Sequence, residues 1–249
     1  MALNNEFRKQ GDFLFKNRSY LPLIFLLTGL GVHIYCKFQN PAIESAIDEY
    51  YEFICLGVSL MGLLIRILTV GFTPKNTSGR NTKMGQVADE LNTTGMYSVI
   101  RHPLYLGNFL MWLGVAMLTA NLWFIISFIF LFCLYYERIM FAEESFLIEK
   151  FGNDYLSWSS YTPAFVPTFK KVTIPKYSFS VVKVLKKEKN GMAAIFLLFW
   201  LFEWFEGIIT NSHTYIIVDF WFYAAILSSV LYLILKILKK RKILDETGR

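Results

Sequence analysis

Six apolar runs, each near the length of a bilayer crossing, constrain this chain more than any other feature. They are Tyr20 to Phe38, Phe53 to Phe72, Leu104 to Thr119, Leu122 to Phe141, Met192 to Ile209 and Tyr215 to Leu238. A hydrocarbon core of about 30 Å takes about 20 helical residues to cross. One such run could be the buried core helix of a globular domain, but 249 residues offer no globule with room for six. Charged residues make up 18% of the chain and the hydrophobic set 55%, against roughly 25% charged in soluble domains. The reading is an all-α, polytopic transmembrane helical bundle of about six spans, one membrane domain over 1–249. The first run has no small-residue cleavage site after it, so it reads as an anchor rather than a signal peptide.

Basic residues set the orientation, because Lys and Arg near span ends favour the cytoplasmic side. They gather at the N-terminus (Arg8, Lys9, Lys16, Arg18), in the 73–103 loop (Lys75, Arg80, Lys83, Arg101), between 142 and 190, and in the tail KILKKRK. The loop with Glu44, Asp48, Glu49 and Glu52 falls outside, as do the turns at Ala120-Asn121 and Thr210 to Thr214. Both termini are then cytoplasmic. The formal charge of +6 reflects lysines beside apolar spans, which suits anionic lipid and gives no nucleic-acid reading. Cys36, Cys55 and Cys133 are odd in number and lack CxxC spacing, so neither a disulfide framework nor a metal site is implied.

Within the spans, Gly29, Gly31, Gly57, Gly62 and Gly71 mark close approach of neighbouring helices. Arg66, inside the second run, either snorkels to the surface or pairs with a buried acid. Phe151, Tyr155, Trp158 and Tyr161 read as an interfacial aromatic belt. Residues 178–190, SFSVVKVLKKEKN, form either a flat basic helix or the approach to the fifth span. Glu206 reads as water-facing at the outer end of that span, and the role of Glu203 is open. His33 and His213 have no ligand-spaced partner and receive no role.

The stretch SVIRHPLYLGNF, Ser98 to Phe109, sets Arg101 and His102 at the edge of the third run. Pro103 excludes residue 102 from helical geometry and fits a first turn, so the third helix starts at Pro103 or Leu104. The tight turn at Ala120-Asn121 makes the third and fourth helices an antiparallel hairpin. The end of the fourth, with Glu137, Arg138, Glu143 and Glu144, therefore returns to the depth of Arg101 and His102. Gly152-Asn153 ends that helix. Pairing of Arg101 or Arg138 with Glu143 or Glu144 is a complete structural account of the cluster. Equally, carboxylates and cations around a small space suit a polar, zwitterionic ligand beside lipid. HExxH, GxSxG, GxxxxGK and GxGxxG are all missing from the sequence, which removes support for metalloprotease, serine hydrolase and Walker-type chemistry.

RHPLYLG, Arg101 to Gly107, is followed one hairpin later by FAEESFLIEKFGNDYLSWSSYTPAFVP, Phe141 to Pro167. The spaced pair resembles the signature of the integral-membrane methyltransferases, the isoprenylcysteine carboxyl methyltransferases and the phospholipid methyltransferases. RHP alone is weak, but the combination over 101–167 is specific. Two spans after the motif, over 190–238, depart from relatives that end soon after it, and 98–167 is the core the resemblance covers.

That resemblance implies methyl transfer from S-adenosyl-L-methionine to a membrane-embedded lipid or lipidated acceptor, with the site facing the cytoplasm; the six-span arrangement suggests a bacterial inner membrane as location. It implies Arg101, His102 and Glu144 in catalysis, and His102, Pro103, Tyr105, Leu106, Gly107, Glu143 and Glu144 around the cofactor, Gly107 leaving room for a ligand. Arg66, Arg138 and Tyr155 are the candidates for orienting a substrate head group. A metal and nucleic acid are not expected, and the oligomeric state is not read. The acceptor is left among a lipid amine, a prenyl-cysteine carboxylate and a lipid phosphate. Two other classes compete: a small transporter with an Arg/Glu-lined path, and a scaffold in which the same pairs only seal helix ends.

Overall fold

Pro103 opens a helix, as its fixed φ favours, with extended-to-bridge backbone at His102 just before it. The computed structural model describes residues 2–18, 20–39, 46–74, 87–210 and 218–246. These residues are helical with no strand, in the order α1 (Leu3–Lys16), α2 (Leu21–Gln39), α3 (Ala46–Gly71), α4 (Met96–Val99), α5 (Pro103–Met117), α6 (Leu122–Phe151), α7 (Asn153–Ser159), α8 (Val181–Thr210) and α9 (Phe220–Lys240). Among the described residues four helices are long and apolar enough to cross a membrane: Tyr50–Gly71, Leu122–Phe151, Val181–Ile209 and Phe220–Lys240. Pro103–Met117 is apolar but shorter. The helix that coincides with the first run, α2, falls outside those four; it carries His33 and Lys37 within its last two turns. Glu44, Lys75, Arg80, Lys83, His213 and the turn after Thr210 lie outside the described residues.

The α5–α6 hairpin forms as its turn chemistry requires. Ala120 takes a left-handed φ of 49°, and the Asn121 side chain caps α6 by accepting from the Phe124 amide at 2.9 Å. Gly152, at φ 54°, ends α6 and lets α7 leave in a new direction.

The most extensive helix contact is α3 against α5, and small residues make it possible. A Cβ on Gly62 would stand 2.5 Å from the Gly107 carbonyl oxygen and 2.6 Å from the Met111 nitrogen. One on Gly114 would strike Ser59 and the Cys55 carbonyl. Of the glycines expected to permit close approach, Gly62, Gly71 and Gly29 do so, whereas Gly31 and Gly57 face open space.

Two elements are settled where the sequence left them open or unread. The basic N-terminus is a helix, α1, docked along α6. Gly11 abuts the Arg138 carbonyl, Phe7 meets Phe141 edge-on, and Arg8 pairs with Glu149. Residues 178–190 are no flat interfacial helix, because α8 starts at Val181 and runs unbroken through the fifth apolar run. Its buried Lys183 donates to the Thr73 hydroxyl and the Pro74 carbonyl, closing the chain end of α3.

At the far end of the bundle, Glu206 is not water-facing. It pairs with Lys37 and lies 3.5 Å from the His33 ring. Glu52 accepts from the Trp221 indole at 2.6 Å. These contacts tie α8 and α9 to α2 and α3. Removing one partner of a buried ion pair leaves the other charge uncompensated, at a cost of about 3 kcal/mol. Glu206→Ala should therefore lower the thermal midpoint of the purified protein, and an unchanged midpoint would show that the pair holds nothing.

Candidate active site

The chain after α7 turns back along residues 99–102 and fixes their backbone. Arg101 N donates to Pro163 O at 2.9 Å, His102 N to Ala164 O at 3.2 Å, and Thr168 N to Val99 O at 3.0 Å. Arg101 and His102 therefore project from a segment held on both sides.

Glu144, two turns from the end of α6, receives both. Arg101 donates to it from Nε at 2.9 Å and Nη2 at 3.1 Å, and the His102 Nε2 lies 2.9 Å away. The Arg101 Nη1 also donates to the carbonyls of Ser159 and Thr162 at 2.9 and 2.8 Å. This planar, multiply anchored geometry is one that lysine could not reproduce. The neighbouring Glu143 accepts from the Tyr105 hydroxyl at 2.7 Å. His102 stacks on Tyr105 at 5.4 Å between centroids. Burial of these charges is tolerable because each carboxylate meets a donor.

The cluster borders a cavity of about 640 Å³. Its lining includes Tyr97, Arg101, His102, Pro103, Tyr105, Glu143 and Tyr155, together with Arg66, Lys187 and Glu188. Tyr155 is buried, with its hydroxyl inaccessible from the cavity and beside the Glu144 carboxylate. Burial, reinforced by the charge on Glu144, raises its phenol well above the usual range. Burial likewise raises Tyr97, with Glu143 adding to the effect. Both are neutral donors at ordinary pH.

Several placements correct the sequence reading. Glu144 stands behind Arg101 and His102, so that Glu143 rather than Glu144 faces the cavity. Leu106 does not line it. Gly107 leaves no room for a ligand, since a Cβ there would meet the Arg66 Cγ at 2.5 Å and the Gly62 carbonyl at 2.9 Å; its smallness serves helix packing. Arg138 lies away from the cavity, its guanidinium 3.5 Å over the Phe7 ring of α1. Tyr155 and Trp158 are buried, not an interfacial belt; the Trp158 indole donates to the Tyr97 carbonyl at 3.1 Å. Arg66 pairs with a buried acid, Glu188, which settles the alternative left open for it.

Sequence reasoning missed Phe15 and Arg18 from the N-terminal segment, Asn108, and Lys187 and Glu188 from α8. One signal was available: Glu188 is the single acid in the basic run VVKVLKKEKN.

Residues 53–154 match the family model for phospholipid methyltransferases. The chain is 29% identical over 115 residues to a protein-S-isoprenylcysteine O-methyltransferase of Schizosaccharomyces pombe, covering 46% of this chain and 47% of that one. It is 34% identical over 74 residues to the corresponding Saccharomyces cerevisiae protein, 30% of this chain and 31% of that one. It is also 34% identical over 83 residues to the nickel-cobalt-cadmium resistance protein NccN of Alcaligenes xylosoxydans, 33% of this chain and 38% of that one. The matches thus span less than half the length of these relatives. No solved structure matches. The resemblance to the isoprenylcysteine and phospholipid methyltransferases is upheld, and the transporter and scaffold readings are not favoured.

Proposed function

We propose that this chain, similar over 53–154 to the phospholipid methyltransferases, transfers a methyl group from S-adenosyl-L-methionine to a lipid or lipidated acceptor. In this reading the chain crosses a bacterial inner membrane about six times with both termini cytoplasmic, and the cavity opens toward the cytoplasmic face. Residues 98–167 are the catalytic core and 190–238 the two added spans.

One observation supports the reading most: the Arg101–His102–Glu144 and Tyr105–Glu143 pairs border one cavity and set buried cations, a carboxylate and phenols beside it. A concave site with a few convergent polar groups suits a polar ligand. Tyr97 can donate to a carboxylate or hydroxyl, and Glu143 can accept from an ammonium or ribose hydroxyl. The residues therefore fit the cofactor. When bound, it supplies an activated methyl on a sulfonium, so no protein nucleophile is required.

The chain's own residues align and shield. Glu144 holds Arg101 and His102 in one orientation, and Tyr105 holds Glu143 toward the cavity. Trp158, Tyr105 and Tyr136 wall the space with apolar surface and exclude water. Holding two reactants in line is worth on the order of 7–11 kcal/mol of barrier, which makes positioning the main contribution here. A carboxylate or phosphate acceptor needs no proton removed, whereas an amine must reach the cavity neutral.

Titration of S-adenosylmethionine into the protein in lipid nanodiscs tests this directly. Saturable binding to the native chain that disappears in Glu143→Ala is expected. Absence of binding to the native chain, or equal binding by the variant, contradicts the assignment.

A further inference from the structure

Part of the cavity lining joins Arg66 and Asn108, inside the family match, to Lys187 and Glu188 on α8, outside it. Glu188, on α8, is buried, and the Arg66 guanidinium donates to it from Nε at 2.7 Å and Nη2 at 2.9 Å. The Arg66 Nη1 donates to the Asn108 Oδ1 at 2.6 Å. Asn108 in turn donates to the Tyr136 hydroxyl at 3.4 Å, and the Tyr136 ring packs on Tyr105. One polar line therefore runs from α8 through α3 and α5 to the Tyr105–Glu143 pair.

Three N–H groups of Arg66 are used in these bonds; the others meet no acceptor among the described residues, although Arg66 lines the cavity. A guanidinium presents only donors, in a planar fork that matches carboxylate and phosphate oxygens. Lys187 and Arg18 line the same cavity and add positive charge. The carboxylates that also line it are engaged: Glu188 by Arg66, Glu90 by Tyr177 and Glu143 by Tyr105.

From this geometry we propose that Arg66, held in plane by Glu188, is a subsite for an oxyanion, a phosphate or carboxylate, on the head group of the acceptor lipid. Glu188 is a positioning residue, and the C-terminal hairpin is thereby part of acceptor recognition. The inference rests on the methyltransferase reading for the identity of the cavity, but it concerns Arg66 and Glu188 rather than the residues assigned to the cofactor.

The test uses the full chain in nanodiscs with three probes: dihexanoyl phosphatidate, decanoate and dihexanoylglycerol, titrated by calorimetry. Phosphatidate or decanoate should bind, whichever head-group chemistry the site takes, and the neutral diacylglycerol should not. Arg66→Gln and Glu188→Gln should each weaken that binding ~tenfold, the effect of losing one charged hydrogen bond. Affinity for S-adenosylmethionine should stay within about twofold. If Arg66→Gln fails to fold, the isosteric Glu188→Gln carries the comparison. The exchanged pair Arg66→Glu with Glu188→Arg should recover the thermal midpoint but not oxyanion binding. Equal binding of the diacylglycerol, unchanged binding in Glu188→Gln, or full recovery by the exchanged pair would overturn the subsite. Failure of the native chain to bind S-adenosylmethionine would instead strike the methyltransferase reading, so the two failures are distinguishable.

Discussion

Glu144→Ala should lose methyl transfer by about 100-fold or more, the penalty of misplacing reactive groups by roughly an ångström. The effect follows from position, not from contact with the ligand. Glu144 is the shared acceptor for Arg101 and His102. Without it the guanidinium keeps only the Ser159 and Thr162 carbonyls, and a positive charge remains uncompensated in a partly buried site. Breaking a buried pair costs about 3–5 kcal/mol; the Arg101 side chain is 16% exposed, which puts the expected loss near the lower end. Cofactor affinity should fall along with stability, whereas Glu144→Gln, which retains an acceptor of the same shape, should recover most of the thermal midpoint and less of the activity. Activity equal to the native chain in Glu144→Ala would remove the Arg–His–Glu unit from the mechanism.

Gly62→Ala should be the more damaging change to the fold, although it adds one methyl. The new Cβ would meet backbone atoms of Gly107 and Met111, and backbone cannot rotate away as a side chain can. Helices α3 and α5 would have to separate, in a lipid environment where close packing is a main source of helix association. Overpacking costs about 1–3 kcal/mol where side chains can adjust, and this site offers backbone instead. Separation of these helices also displaces Arg66, whose stem lies against Gly107. Lower folded yield with weaker acceptor binding is the expected result, and Gly31→Ala, at a position facing open space, is the matched control. Equal loss in both variants would mean that the close approach of α3 and α5 at Gly62 is not what governs.

Much of the core was legible in the order of residues. Pro103 and Gly152 mark helix ends by backbone chemistry alone. The Ala120-Asn121 turn brings the acids of α6 to the level of Arg101 and His102, as hairpin geometry requires. What failed to show were partners supplied from far along the chain. Glu188 pairs with Arg66 across 122 positions, and only the packing of α8 brings them together. Glu206 looked solvated for the same reason, because neither His33 nor Lys37 betrays its neighbours in sequence. Gly107 was assigned to a ligand when it serves a helix crossing: a missing side chain does not say what occupies its space. Tyr155 and Trp158 were assigned to a lipid interface because aromatics at the end of a span have the same spacing whether they face lipid or underlie a polar cluster.

The central claim is that this cavity carries methyl transfer to a membrane-embedded acceptor. Its most direct test is to incubate the native chain with methyl-labelled S-adenosylmethionine and a total lipid extract, then to measure label and mass in the organic-extractable fraction. The account predicts one labelled lipid class, a single methyl heavier than its precursor per transfer, that disappears in Glu143→Ala and Glu144→Ala. A chain that folds and binds the donor but leaves the lipid and lipidated fractions unlabelled would contradict it.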